Sequence, residues 1–163
     1  MSVPQIPITI ADLVVEYVAN YGTLDVETGL FLLASRASVQ VSAVAFAGSR
    51  GVDRSPLRFA LSGRAVSQLF RHLGERDLVA LALVHSHRGP AGLSRTDLDH
   101  GFSVEGFTSA VVPYYRRPPH DPSRWGWWRH EQGRWHASAA FLLDSAAATV
   151  SAVVFDEDGV REA

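Results

Sequence analysis

Apolar residues recur along the chain with two different periods, and these periods predict an alternation of helices and strands. Residues at helical spacing predict a first helix over about 10–21, with a capping box at 9–12 and an end near Gly22. A second helix is predicted from Ser62 to Gly74, with one apolar face formed by Val66, Leu69, Phe70 and Leu73. A short third helix is predicted over about 94–100.

Shorter apolar runs predict the strands. We expect strands within residues 24–34, 38–48, 57–61, 78–84, 108–113 and 150–155, and a hairpin over 125–136 that turns at 131–133. Polar or proline-rich segments at 48–56 and 114–124 are expected to be loops, the second of them exposed. This mixture predicts an α/β fold with a mixed β-sheet flanked by helices, in a single domain over residues 1–163.

Composition narrows the classes of function. The 163 residues are 47% hydrophobic and 20% charged, with a net charge of −2, so we expect neither nucleic acid nor an anionic membrane as the main partner. We expect no signal peptide, and no apolar run approaches the roughly 18 residues of a membrane span. The absence of cysteine excludes disulfides and predicts a cytoplasmic protein. All 15 basic residues are arginine, for which GC-rich coding and a functional avoidance of lysine both stay open.

The candidate chemistry lies in residues 84–97, after the apolar run 78–84. His85 and His87 are two residues apart at a strand end and therefore project from the same face. A turn rich in glycine leads to Ser94 and to Asp97 in the first turn of a helix. Two imidazoles and one carboxylate, with a position left for water, are typical of catalytic zinc sites. The alternative is a polar edge pair of histidines followed by an ordinary capping box.

Three separated segments, read together, carry a resemblance to a known family. Glu27-Thr28-Gly29, His85-Ser86-His87 and Ser94-Arg95-Thr96-Asp97 resemble, in type and order, the motifs of JAMM (JAB, MPN-plus) zinc metalloproteases of the Mov34/MPN/PAD-1 type. The resemblance implies a cytidine-deaminase-like sandwich and a bacterial, deubiquitinase-like member. It further implies that His85, His87 and Asp97 bind one Zn²⁺ with a water as fourth ligand, that Glu27 is the general base, and that Ser94 stabilises the oxyanion.

The chain departs from the family pattern at several positions. The loop from Arg88 to Leu93 has six residues, one fewer than is usual in the family, and Arg88 stands where proline is common. Leu30 and Ala34 occupy positions that are often glycine. The shorter loop leaves Asp99 as an alternative ligand to Asp97, whereas His100 is expected at the surface.

The implied function is zinc-dependent cleavage of an isopeptide or peptide bond after the C-terminal tail of a ubiquitin-like protein. The implied partners are that protein or its conjugate and the enzymes that activate or conjugate it. The alternatives are a non-catalytic MPN-type scaffold and a zinc hydrolase of a small amide. Intact Glu27, His85, His87 and Asp97 argue against the scaffold.

Residues 114–135 are rich in aromatic residues and arginine, which commonly anchor interfaces. They predict a surface for the substrate with Tyr114, Tyr115, Arg116 and Trp127 as contacts. The alternative is a hairpin whose tryptophans cover the sheet. A stacking platform for single-stranded nucleic acid is a weaker reading, given the acidic balance.

Overall fold

A computed structural model describes residues 3–100, 102–144 and 150–163, without the side chains of residues 96, 99 and 100. Its helices are α1 (Ile8–Gly22), α2 (Gly63–Glu75), α3 (Arg95–His100) and a 3₁₀ helix (Pro122–Arg124). Its strands are β1 (Gln5–Pro7), β2 (Gly29–Ser35), β3 (Ala43–Ala47), β4 (Val52–Ser55), β5 (Arg58–Leu61), β6 (Leu78–Ser86), β7 (Thr108–Val112), β8 (Gly126–Glu131), β9 (Arg134–Ala137), β10 (Phe141–Leu143), β11 (Ser151–Asp156) and β12 (Gly159–Glu162).

The centre of the fold is an eight-stranded sheet in the order β12-β11-β3-β2-β6-β7-β8-β9. The pairs β3/β11 and β6/β7 are parallel, and the other neighbouring pairs are antiparallel. The sheet is therefore mixed, and the predicted α/β fold with helices on a mixed sheet is confirmed. Two strand pairs lie outside this sheet: β4 with β5, and β1 with β10.

Alternation along β2 explains why its apolar run is continuous. Leu30 and Leu32 point to one face of the sheet and pack with α1, whereas Phe31 and Leu33 point to the other face and pack with α2. All four side chains are buried. A strand covered on both faces has no solvent side, so it needs no polar alternation. Burying each such side chain stabilises the fold by about 1.5–3 kcal/mol.

The ends of the two long helices differ in how well local signals predict them. Ser62, where the sequence predicts the helix to start, caps α2 by accepting a hydrogen bond from the Ala65 N–H. The capping box predicted for the first helix was wrong. The helix starts at Ile8 after Pro7, without a side-chain cap, and the Thr9 hydroxyl is buried without a hydrogen-bond partner among the described residues. Pro7 occupies the N-cap position, and its side chain has no oxygen that could accept a hydrogen bond from the first turn.

Several peripheral segments also differ from the prediction. Residues 48–56, expected to be a loop, contain β4, which pairs with β5. The strand expected from residue 38 begins only at Ala43. The segment 114–124 is irregular, but it is not simply exposed, because Tyr115 is fully buried and Pro122 begins the 3₁₀ helix. Among the helices described, none combines the length and hydropathy needed to cross a membrane.

Candidate metal centre

The register between β2 and β6 builds the centre. Gly29 is paired with His85 in this antiparallel ladder, so the segment before β2 runs beside the end of β6. Ser86 joins the two segments twice: its N–H donates to the Thr28 carbonyl at 2.9 Å, and its hydroxyl oxygen accepts from the Thr28 N–H at 2.9 Å. Glu27 lies two residues before Gly29, and its carboxylate comes within 4.8 Å of the ring nitrogens of His85 and His87. A segment 58 residues away in sequence thus delivers a carboxylate to the histidine pair.

The two imidazoles converge as their spacing predicts. Their Nε2 atoms are 3.1 Å apart, and their ring planes are inclined by 65°. His87 also hydrogen-bonds the Pro90 backbone, which has only a carbonyl to offer, so the imidazole is the donor. Because Nε2 faces His85, the donor is Nδ1–H. A carbonyl that accepts from Nδ1–H orients the ring so that Nε2 faces His85 and Asp97.

Asp97 closes the group from the first turn of α3. Its Oδ1 lies 3.0 Å from His85 Nε2, and its Oδ2 lies 3.1 Å from His87 Nε2. Ser94 holds it in place: the Ser94 N–H donates to Oδ2 at 2.7 Å, and the Ser94 hydroxyl oxygen accepts from the Asp97 N–H at 3.1 Å. The six-residue loop is therefore long enough to bring Asp97 to both histidines. The side chain of the alternative ligand, Asp99, lies outside the described residues, as does that of His100.

These atoms fit a tetrahedral zinc ion. Bonds of 2.0–2.1 Å separate the ligand atoms of such an ion by about 3.3 Å. The two Nε2 atoms are 3.1 Å apart, and each lies 3.0–3.1 Å from a different oxygen of Asp97, which is close to this ligand spacing. Nitrogen and oxygen atoms whose lone pairs point at each other repel at this distance. The arrangement is therefore stable only with a proton or a cation between them. Glu27, His85 and His87 also form a group that could hold a metal ion, with their ligand atoms all within 4.8 Å.

The ionisable groups of the centre influence one another strongly. Burial raises the pKa of Glu27 to about 7, and the Asp97 charge adds to the rise, although His87 opposes it. Burial acts against the charge of Asp97, but hydrogen bonds from His85, His87 and Ser94 outweigh it and hold the pKa of Asp97 well below its usual range. Burial likewise acts against protonated His87, and the bond to Asp97 outweighs it, so the pKa of His87 is raised.

A polar network behind Glu27 was not predicted from the sequence. Arg54 on β4 donates to the Thr28 hydroxyl at 3.0 Å, to the Tyr17 hydroxyl at 3.1 Å, and to the carbonyls of Gly48 and Ala47 at 2.6 and 2.7 Å. The Thr28 hydroxyl in turn donates to Tyr17 at 2.7 Å. Arg54 therefore ties the segment that carries Glu27 to α1 and to the end of β3. Its only sequence signal is an arginine in a segment that looks like a loop.

An apolar pocket of about 120 Å³ opens beside the centre. His85 and Asp97 form part of its lining, so it is continuous with the candidate metal centre. Most of the remaining wall is aliphatic or aromatic and comes from β5, β6, the loop before α3, and β9. The apolar pocket, as we call it below, is lined by Phe59, Ala60, Leu61, Leu83, His85, Leu93, Asp97, Phe102, Ser109 and Trp135.

The predicted substrate contacts fall into two groups. Tyr115 is fully buried, and Trp127 is 3% exposed and donates its Nε1–H to the Pro122 carbonyl, so both belong to the core on the α1 side. The structure thus corrects their assignment as contacts, because neither has a surface to offer. Tyr114 is exposed, and Arg116 is an exposed partner of Asp25 at 2.8 Å. These two stay predicted contacts.

Comparisons with known proteins find similar folds among solved structures. No protein-family model matches the chain, and no curated protein matches it. Several solved structures, in contrast, are similar to the chain. A protein from Desulfitobacterium hafniense aligns with a TM-score of 0.67 and 16% identity, covering 86% of this chain and 93% of that one. A protein from Salinibacter ruber gives 0.57 and 23%, covering 88% and 94%.

The name of a third similar structure states its domain family. It is a JAB1/MPN domain protein from Archaeoglobus fulgidus, with a TM-score of 0.54 and 17% identity, covering 88% of this chain and all of that one. The chain therefore has a JAB1/MPN-like fold. At these identities the likeness shows the fold alone, so the chemistry must be argued from the centre itself.

Proposed function

We propose that this chain is a JAMM-type zinc hydrolase that cleaves an isopeptide or peptide bond after the C-terminal tail of a ubiquitin-like protein. One observation carries the proposal: two imidazole nitrogens and one carboxylate converge within 3.0–3.1 Å on a JAB1/MPN-like fold. A buried glutamate from a distant segment stands beside them.

His85, His87 and Asp97 would hold the ion, since their atoms already lie at ligand spacing. Zinc in such a site acts as a Lewis acid and lowers the pKa of water from 15.7 towards about 7. The Pro90 carbonyl and the Ser94 N–H would orient two of the three ligands.

Glu27 would move the proton. Its carboxylate accepts a proton from the attacking water as the new C–O bond forms at the carbonyl carbon. It then delivers that proton to the amine nitrogen as the C–N bond breaks, so protons and bonds balance. A pKa near 7 suits a group that must both accept and release a proton at neutral pH. A divalent cation beside Glu27 would lower this pKa and favour the accepting form.

Ser94 can serve both the helix and the reaction. Its hydroxyl oxygen accepts from the Asp97 N–H, as a helix cap does. A hydroxyl has one proton and two lone pairs, so its O–H stays able to donate to the oxyanion of the tetrahedral intermediate. The two roles are compatible.

The ubiquitin-like substrate rests on the motif resemblance, and exposed Tyr114 and Arg116 are its proposed contacts. The proposal includes a cytoplasmic location and an association with the enzymes that activate or conjugate the modifier. The absence of lysine simplifies the assay, because no isopeptide conjugate can form on a side chain of the enzyme itself.

The test compares zinc content and cleavage in the wild-type protein and in the variants Glu27→Ala and His87→Ala. Substrates are a ubiquitin with a C-terminal peptide extension, an isopeptide-linked ubiquitin pair, and small dipeptides. Glu27→Ala is expected to keep zinc and lose cleavage, whereas His87→Ala loses both. Retained turnover in Glu27→Ala would remove Glu27 from the mechanism. Cleavage of dipeptides alone would establish the small-amide hydrolase instead, and a wild-type protein without zinc or cleavage would establish the scaffold.

A further inference from the structure

The apolar pocket shares two of its lining residues with the candidate metal centre. His85 and Asp97 border both, so whatever fills the pocket lies in contact with the groups that would hold the ion. Phe59 and Leu61 form one wall on β5, Trp135 forms another on edge strand β9, and Leu93 approaches from the loop before α3. These walls belong to three segments that are far apart in the sequence, so the pocket is a property of the folded chain.

The lining determines what the pocket can hold. Ser109 is the one polar residue of the lining besides His85 and Asp97, and its side chain is buried. A cavity of about 120 Å³ is close in size to the roughly 150 Å³ apolar cavities that stay dry and bind benzene. It therefore suits one apolar group of about four to six carbons. A glycine would leave it unfilled.

We propose that the apolar pocket is a specificity subsite for a leucine-sized side chain on a residue directly beside the scissile amide. The inference rests on the proposed zinc hydrolase and adds a substrate requirement to it. The pocket touches the metal ligands, and an extended chain advances about 3.3–3.6 Å per residue, so a residue several positions away would not reach it. Burial of such a side chain would favour it over hydrogen by roughly 10- to 100-fold in affinity.

Two hydroxamates probe the subsite without a need for the natural substrate. Each binds zinc through the same group, and they differ in the apolar part: acetohydroxamate has a methyl group, and 4-methylpentanohydroxamate has a branched chain that can enter the pocket. Affinities are measured by titration calorimetry on zinc-loaded protein. The variants are Trp135→Ala and Leu93→Ala, which remove walls contributed by different segments, so one variant still provides the test if the other fails to fold. The control is Arg134→Ala, an exposed neighbour on β9.

The expected result is that the branched hydroxamate binds wild type at least 10-fold more tightly than acetohydroxamate. The ratio should fall below about 3-fold in Trp135→Ala or Leu93→Ala and stay unchanged in Arg134→Ala. Equal affinities on zinc-loaded wild type would overturn the subsite and leave the zinc hydrolase standing. Failure of the protein to load zinc, with neither hydroxamate bound, would overturn the zinc hydrolase and the subsite with it.

Discussion

Replacing Arg54 with methionine should destabilise the whole protein, although Arg54 lies in a two-stranded hairpin outside the central sheet. The guanidinium donates four hydrogen bonds, to two hydroxyls and two backbone carbonyls, and its Cζ lies 4.1 Å from the centre of the Tyr21 ring. Methionine keeps the apolar stem and removes the donors. The acceptors that remain are partly buried, so water replaces the guanidinium only incompletely.

The size of the effect follows from these contacts. Hydrogen bonds from a charged donor each contribute about 1.5–3 kcal/mol when well buried. Arg54 is only half-buried, so we take about 1 kcal/mol for each of its four bonds, and the ring contact adds about 0.5 kcal/mol. The free energy of unfolding should therefore fall by about 3–5 kcal/mol. A typical domain has about 5–15 kcal/mol in total, so the variant should fold but unfold at much lower urea.

Urea denaturation followed by tryptophan fluorescence measures this change. The matched control is Arg58→Met on β5, because Arg58 makes a single exposed ion pair with Asp53 at 3.5 Å. Exposed pairs contribute about 0–1 kcal/mol, so this control should stay close to wild type. If Arg54→Met lost no more stability than Arg58→Met, the network would not tie the Glu27 segment to the fold, and our account of how that segment is held would be wrong.

Two further changes test other parts of the structure. The bond from Arg161 holds the pKa of buried Asp156 at about 2, below its ordinary value, so its stabilisation is present above about pH 4 and is lost as pH falls towards 2. When urea unfolding is measured at decreasing pH, the free energy of unfolding should therefore fall by about 1–2 kcal/mol less in Asp156→Asn than in wild type. An equal fall in both proteins would contradict the pairing of Asp156 with Arg161. A Cβ on Gly29 would overlap the Phe59 ring, so Gly29→Ala should lower stability by about 1–3 kcal/mol in thermal unfolding. An unchanged melting temperature would show that the ring moves freely.

Local patterns predicted the elements that are long and periodic. β6 and α2 were found because each has a continuous signal and a clear boundary, such as the Ser62 cap. β1 and β10 were missed because each has three residues, too few to show a period, and they pair across more than 130 positions. β4 was missed because its residues are polar and partly exposed, as suits a hairpin outside the main sheet.

In the candidate metal centre, too, local sequence patterns predicted some features and not others. The face shared by His85 and His87, and the cap between Ser94 and Asp97, follow from spacing over a few residues. The position of Glu27 does not, because it depends on the register of β2 against β6, which no local pattern contains. Only the family resemblance connected it. The prediction that Trp127 contacts the substrate was wrong because aromatic residues are common both in interfaces and in cores. The sequence does not distinguish the two, whereas the burial of Trp127 in the structure does.

The most direct test of the central claim is the zinc content of the purified protein, measured by elemental mass spectrometry beside a His85→Ala/His87→Ala variant. We predict about one zinc per chain in wild type and none in the variant, because the variant loses two of the three converging ligands. A wild-type protein without zinc after reconstitution would contradict the account, since the convergence of His85, His87 and Asp97 would then be an ion-pair cluster.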